Sequence, residues 1–461
     1  MLERFASTAR ARGGTVTRYF SSGTVMDRHV LYRKLASIGK NGSGKKVLND
    51  SIMDGYFPSK HDLIGCAREL RKYNQHNTAL EIFEWLDRRK IQLGMYDHAL
   101  YLELIAKTKG VPEAENYFEN LPPPLKNTMT YGTLLNTYCK EQMTDKAVIF
   151  FKKMDELNLL KHPSPFNYMM SLYLKIGNPE KVIDLVEQMR AQEIPLDSFT
   201  YTMRIQSFSA LNDFESMEKA IEEMKASNVE SDWTTYSNLA SIYIKYEIPK
   251  KAEAALRTLE FQMLPNNREA YHFLINSYAK LTKPEEVKRL WSAMKSSMQK
   301  LTNNTYCALI ASFSKVGEVR MLKECVGEWE SSCSYYDVKV ANLAIKGLLE
   351  NGDFEEADRL FERAVKRCDK VLYSGREMLC DAALKRNDVG VAMEHLERAL
   401  SECRERGVNW KPKREIVDCF FGYFESKRDA EGLERFCEIL KSRDLMDDYA
   451  ESVGRALGKV A

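Results

Sequence analysis

Five lysines share one register. Lys140, Lys175, Lys245, Lys280 and Lys315 fall on a 35-residue frame, which Ala210 and Glu350 interrupt and Lys385 resumes. An ammonium group repeated on a structural period suits a polyanion. If equivalent positions of stacked units align, these lysines form a stripe that can follow a phosphate backbone. Each one alone reads equally as a solubilising residue at a helix end, where a cation suits the dipole. The shared register of five favours the stripe. Two other motifs lead nowhere. Gly39–Lys46 has the outline of a phosphate-binding loop, but Lys46 stands where that loop needs a hydroxyl and nothing strand-like precedes it. A mobile basic turn between two helices is expected there. His395-Leu396-Glu397 has the H-x-E form of a zinc deaminase, which also requires a C-x-x-C pair. None of the ten cysteines forms such a pair or has a histidine at metal-ligand spacing. They read as scattered reduced thiols, and the helical spacing around His395 suggests a solvated face. No compact aspartate cluster resembles a nuclease centre. No catalytic residue, metal or cofactor is expected.

The elements that position the lysines repeat with the same period. Thr128–Leu372 divides into seven consecutive 35-residue units, marked by Tyr131, Phe166, Tyr201, Tyr236, Tyr271 and Tyr306, with Ala341 at that place in the seventh. Sixteen residues further on, every unit has an apolar residue: Ala147, Val182, Met217, Ala252, Val287, Leu322 and Ala357. Within Trp233–Asn267, Tyr236, Leu239, Ile242 and Tyr243 recur at three- and four-residue steps. Ala252, Ala255, Leu256 and Leu259 do the same after the Glu247-Ile248-Pro249 break. That is two amphipathic helices and a tight turn. One such pair cannot bury its own apolar face, so the units must stack. The expected fold is all-α, a right-handed superhelical solenoid of helix-turn-helix repeats.

These residues carry a family likeness. Thr130-Tyr131-Gly132-Thr133-Leu134-Leu135, with Tyr138-Cys139-Lys140 and Asp145-Lys146-Ala147, resembles a pentatricopeptide repeat; so does Asp197-Ser198-Phe199-Thr200-Tyr201. The likeness covers nearly the whole chain and is to the plain P class. It implies that the residue after the aromatic and the last residue of the same repeat read one base of single-stranded RNA, and that the lysine position contacts phosphate. The pairs are then Gly132 with His162, Asn167 with Asp197, Thr202 with Asp232, Ser237 with Asn267, His272 with Thr302, Cys307 with Asp337, and Asn342 with Leu372. By the family's pattern Asn167/Asp197 favours U, Thr202/Asp232 G and Ser237/Asn267 A, so the word is U-G-A from the N-terminal repeat. The other four pairs are poor or ambiguous. Glu269 stands where the family usually has a small apolar residue against the base. Three bases at roughly 1–3 kcal/mol of stacking each give about 6 kcal/mol, short of the roughly 8 kcal/mol of micromolar binding. A three-base word also recurs about once in 64 nucleotides, so competing sites swamp it. Trp233–Leu259 further resembles a subgroup with members in plant mitoribosomes. Two roles follow from the likeness. One is a non-catalytic factor for mitochondrial RNA processing, stability or translation. The other is a structural subunit of the mitochondrial ribosome or another ribonucleoprotein, bound to rRNA and ribosomal proteins.

The chain has 461 residues, 44% hydrophobic and 29% charged, with a formal net charge of +2, so any basic surface must be local. No apolar run approaches the length of a membrane-spanning helix. Residues 1–20 hold Arg4, Arg10, Arg12 and Arg18 among small and hydroxylated residues, with one acid, Glu3. This composition fits a mitochondrial transit peptide cut after Phe20, and a chloroplast address less well; the mature protein is then expected in the matrix. Residues 21–59 are expected to form an N-terminal helical segment and 60–127 two repeat-like units, the second ended by Leu121-Pro122-Pro123-Pro124. Residues 373–447 are expected to form two looser repeats and 448–461 a cap. Five extra residues around Glu402–Lys411 are assigned to an inter-repeat loop.

Overall fold

The computed structural model describes residues 28–38, 42–227, 229, 232–368, 372–443 and 445–449. The expected leader, its cleavage point and all but the first two residues of the cap lie outside the described residues. The chain divides into two compact units, Met1–Glu230 and Ser231–Ala461. Unit 1 contains α1 (Arg28–Ala36), α2 (Gly44–Met53), α3 (Lys60–Lys72), α4 (His76–Arg88), α5 (Met95–Lys109), α6 (Val111–Glu119), α7 (Thr128–Lys140), α8 (Thr144–Glu156), α9 (Pro163–Lys175), α10 (Pro179–Ala191), α11 (Ser198–Ala210) and α12 (Phe214–Ala226). Unit 2 contains α13 (Trp233–Lys245), α14 (Pro249–Gln262), α15 (Arg268–Lys280), α16 (Pro284–Ser297), α17 (Asn303–Lys315), α18 (Val319–Ser332), α19 (Val338–Glu350), α20 (Phe354–Arg367), α21 (Tyr373–Lys385), α22 (Val389–Glu405), α23 (Arg414–Lys427) and α24 (Ala430–Lys441). Among the described residues there is no strand.

Many of the helices have a chemical start and stop. Ser59, Asn127 and Asp197 in unit 1, and Asp232, Asn267, Thr302 and Asp337 in unit 2, accept a backbone N–H from the first turn of the helix that follows them. Proline opens α9, α10, α14 and α16, where its missing N–H costs nothing. Two residues after each frame position of the lysine row the backbone turns left-handed. Gln142, Gly177 and Asn212 do so in unit 1; Glu247, Thr282, Gly317, Gly352 and Asn387 in unit 2. The next N–H then reaches back across the helix end, as in Met143 N–H to Tyr138 O at 2.9 Å and Lys283 N–H to Tyr278 O at 3.0 Å.

In unit 1, α5, α7, α9 and α11 pack successively side by side; in unit 2, α13, α15, α17, α19, α21 and α23 do the same. The second helix of each pair covers the other side. Between them lie the residues of the sequence frame. Tyr131, Phe166, Tyr201, Tyr271 and Tyr306 are buried, and Ala147, Val182, Met217, Ala252, Val287, Leu322 and Ala357 are wholly enclosed.

Three expectations are corrected. The extra residues near Glu402 do not all enter a loop. Leu396, Ala399, Leu400 and Cys403 continue the apolar spacing and are buried, so α22 gains a turn and runs 17 residues to Glu405. The loop begins at Arg406. Gly44, Lys45 and Lys46 are not part of a turn but form the first turn of α2. Ser43 Oγ and the Lys45 N–H both donate to Glu81 Oε2, at 2.9 and 3.0 Å, and the Lys45 ammonium pairs with Glu84. His395 is not on a solvated face: its Nε2 lies 3.7 Å from Asp358 Oδ1 on the preceding α20, and burial holds its pKa below the usual histidine value. Among the described residues, no group of three His, Cys, Asp or Glu side chains is placed to hold a metal ion. All ten cysteines are free thiols, five of them buried.

Candidate nucleic-acid interface

The first helices bring part of the predicted set together. In unit 1, α7, α9 and the start of α11 enclose a groove of about 370 Å³. Lys140, Lys175 and Asn167 line it with Tyr168, Ser171 and Phe199. Asn167 is 7% exposed. Its amide nitrogen donates to Asp197 Oδ2 at 3.0 Å, and its Oδ1 accepts from the Thr200 hydroxyl at 2.9 Å. Asp197 Oδ1 accepts the Thr200 N–H at 2.7 Å, so one carboxylate caps α11 and orients the asparagine. This closed arrangement fixes which edge of Asn167 faces the groove.

The other predicted readers stand less ready. Thr202 is buried and its hydroxyl donates to Ser198 O at 2.8 Å. Asp232, which belongs to unit 2 while Thr202 belongs to unit 1, caps α13 through the Thr235 N–H at 3.1 Å. Burial opposes its charge, but hydrogen bonds from Thr234 and Thr235 outweigh that and hold its pKa below the ordinary carboxylate value. Ser237 Oγ donates to Thr234 O at 2.7 Å, while Asn267 caps α15 through the Ala270 N–H at 3.1 Å. His272 contacts the Thr305 hydroxyl at 3.0 Å, the same relation as Asn167 to Thr200. Burial holds its pKa below the usual histidine value. Asn342 Oδ1 is buried with no hydrogen-bond partner, beside a unit 2 groove of about 570 Å³ that Tyr335, Lys339 and Tyr373 help line.

Each lysine of the row is the last residue of a first helix: Lys140 of α7, Lys175 of α9, Lys245 of α13, Lys280 of α15 and Lys315 of α17. All five are exposed. Among the described residues none of them forms an ion pair, whereas Lys146, Lys283, Lys288, Lys295 and Lys323, on or at the second helices, all do. Lys385 differs from the row: Asp381 holds it at 2.6 Å.

Sequence reasoning named this frame position only at Glu269 and missed the exposed apolar residues that unit 1 places there. Tyr96, Met129 and Phe199 are 67%, 48% and 46% exposed. Each lies at the second residue of a first helix, on α5, α7 and α11. The signal was available: these positions fall off the buried stripe that the aromatic frame defines. An exposed ring there offers a face to an unstacked base.

The PPR repeat family model matches residues 129–159, 164–194 and 199–229 in unit 1 and 269–297 and 340–368 in unit 2. A mitochondrial pentatricopeptide repeat-containing protein of Arabidopsis thaliana is 39% identical over 420 residues, which span 90% of this chain and 78% of the relative. The chain belongs to the pentatricopeptide repeat family. A second mitochondrial member from Arabidopsis thaliana is 40% identical over 413 residues, spanning 89% of this chain and 82% of its own length. Among solved structures, the pentatricopeptide repeat protein PPR10 from maize aligns with a TM-score of 0.62 over 98% of this chain and 72% of its own, at 13% identity. The same maize protein in complex with an 18-nt psaJ RNA element aligns at 0.56. The fold is thus that of a pentatricopeptide solenoid. In this family member the lysine row and the groove at Asn167 both belong to the first helices.

Proposed function

We propose that this pentatricopeptide repeat protein binds single-stranded RNA along its first helices, without catalysis, and acts in mitochondrial RNA processing, stability or translation. The observation that carries the reading is the unit 1 groove. One oriented amide, Asn167, lies beside two exposed lysines outside any ion pair and an exposed phenyl ring. Those are the three elements single-strand binding uses: a base edge to read, a face to stack on and a cation for phosphate. The mitochondrial names of its relatives and the RNA in the maize complex support the same reading. The proposed word is U-G-A, from Asn167/Asp197, Thr202/Asp232 and Ser237/Asn267. A binding selection on randomised RNA tests it. Enrichment of the triplet is expected, and Thr202→Asn is expected to turn the middle preference from G to U. No enrichment, and no shift in the variant, rejects base reading.

Residues 1–20 are proposed as the import leader. N-terminal sequencing of the protein recovered from mitochondria should begin at Ser21; a start at Met1 rejects it. One observation favours a second role, as a structural subunit of the mitochondrial ribosome. The proposed reading residues of unit 2, like Thr202 in unit 1, are engaged with their own helices, Ser237 on Thr234 O and Asn267 on the Ala270 N–H. Co-sedimentation with ribosomal subunits after a high-salt wash selects that role, and its loss under the wash selects the free RNA-binding factor.

A further inference from the structure

A second cationic groove lies nearer the start of unit 1, between α1, α3 and the beginning of α5. It measures about 400 Å³, and Arg28, Lys60, His61, Arg68, Glu69 and Asp97 line it. The base-reading positions of this repeat are Ile64 and Gly94, and neither offers a side-chain hydrogen bond to a base edge. What the groove has instead is positioned positive charge. The Arg28 side chain lies in a notch on α3 that exists because residue 65 is glycine. A Cβ there would stand 3.1 Å from Arg28 Cδ and 3.2 Å from Nη1. Asp97 Oδ2 accepts the Gly94 N–H at 2.8 Å and holds the Lys60 ammonium at 3.1 Å. Arg68 Nη2 lies 3.8 Å from Asp97 Oδ1. Lys72 occupies Glu69 at 2.9 Å. Arg28, Lys60 and Arg68 thus line one groove, with Asp97 holding two of them in place and Arg28 outside any ion pair among the described residues.

Two guanidinium groups and an ammonium around a cavity match a group with more charge and more acceptor oxygens than a strand's internal phosphates. A phosphomonoester carries close to two negative charges and three acceptor oxygens near neutral pH. Guanidinium forks bind such oxygens in pairs. We propose that this groove binds the terminal phosphomonoester of an RNA strand, so that the protein distinguishes a phosphorylated end from a hydroxyl end. The proposal rests on the RNA reading above and adds an end-specific contact to it.

The test uses the full chain and one oligoribonucleotide in three forms: with a 5′-phosphate, with a 3′-phosphate, and with hydroxyls at both ends. One phosphorylated form should bind about tenfold tighter than the hydroxyl form, the worth of about one charge-assisted hydrogen bond. Which form it is assigns the end. The double variant Arg28→Ala/Arg68→Ala should lose that advantage while changing the hydroxyl form's affinity by less than about threefold, because exposed phosphate contacts elsewhere remain. Gly65→Ala, which fills the notch, should lose it too, and a melting curve checks that each variant folds. Equal affinity for all three forms overturns the proposal, as does an advantage that survives both variants. If the chain binds no RNA at all, a second readout still decides. Nucleoside 5′- and 3′-monophosphates at constant ionic strength should raise the melting temperature of the wild type and not of the double variant. A rise keeps the groove and rejects the RNA reading; no rise rejects the groove.

Discussion

The two units repeat one helical plan but present different chemistry at one position. At the second residue of the first helices, unit 1 places the exposed polar His61 on α3 and then Tyr96, Met129 and Phe199, exposed and apolar, on α5, α7 and α11, with Ser164 between the last two. Unit 2 places Thr234, Glu269, Asn304 and Lys339 there, all exposed and polar. The lysine row runs the other way: unit 1 carries Lys140 and Lys175, unit 2 Lys245, Lys280 and Lys315. Packing does not dictate this position, since it lies off the buried stripe. The difference therefore bears on what the helices meet. Under the RNA reading proposed above, unit 1 would supply most of the faces for base stacking and unit 2 most of the cations for phosphate.

The strongest test of that division is electrostatic. Replacing Lys245, Lys280 and Lys315 by Ala should weaken every single-stranded RNA alike, by about a hundredfold near 0.1 M salt, and lower the salt slope by about 0.7 for each phosphate no longer neutralised. Salt titration of the binding constant measures it; an unchanged slope places these lysines away from RNA. Next in size is the stacking residue. Phe199→Ala should cost about 1–3 kcal/mol of RNA affinity with the salt slope unchanged. The matched change Thr234→Ala in unit 2 should leave affinity within experimental error. Equal losses from the two variants erase the distinction between the units.

The smallest effect concerns stability. Thr282 is β-branched and sits at φ 54°, where Gly317 and Gly352 serve at the same frame position in the same unit. A non-glycine residue in that region costs about 1 kcal/mol or more. Thr282→Gly should therefore raise the unfolding free energy by about 1 kcal/mol, read by urea denaturation with RNA binding unaffected. A lower stability refutes the account of these turns.

Most of the fold was legible because the period repeats the same physical demand many times. A buried aromatic, an enclosed apolar residue sixteen places on and a left-handed turn each recur, so single exceptions such as Ala341 do not hide the frame. The site was less legible. Asp197 looks like half of a base-reading pair; the structure shows it also caps α11 and holds Asn167, two duties that residue type alone cannot separate. Phe199 is hydrophobic by type, and only its place in the frame tells that it is outside the core. The extra turn of α22 was hidden because charged residues at Glu402, Arg404 and Glu405 read as loop, while the apolar spacing through Cys403 had the deciding weight.

The closed ring of hydrogen bonds among Asn167, Asp197 and Thr200 has an energetic corollary. Each member of the ring already has a hydrogen-bond partner within the protein. Under the proposed base reading, a base that fits would exchange part of this bonding for bonds of similar strength, so a match would add little net attraction. A base that does not fit opens the ring and replaces nothing, leaving a desolvated amide that costs about 1–3 kcal/mol. Under the proposed base reading, discrimination at this position would work by veto: wrong sequences would be lost through faster dissociation, more than the right one would be held tightly.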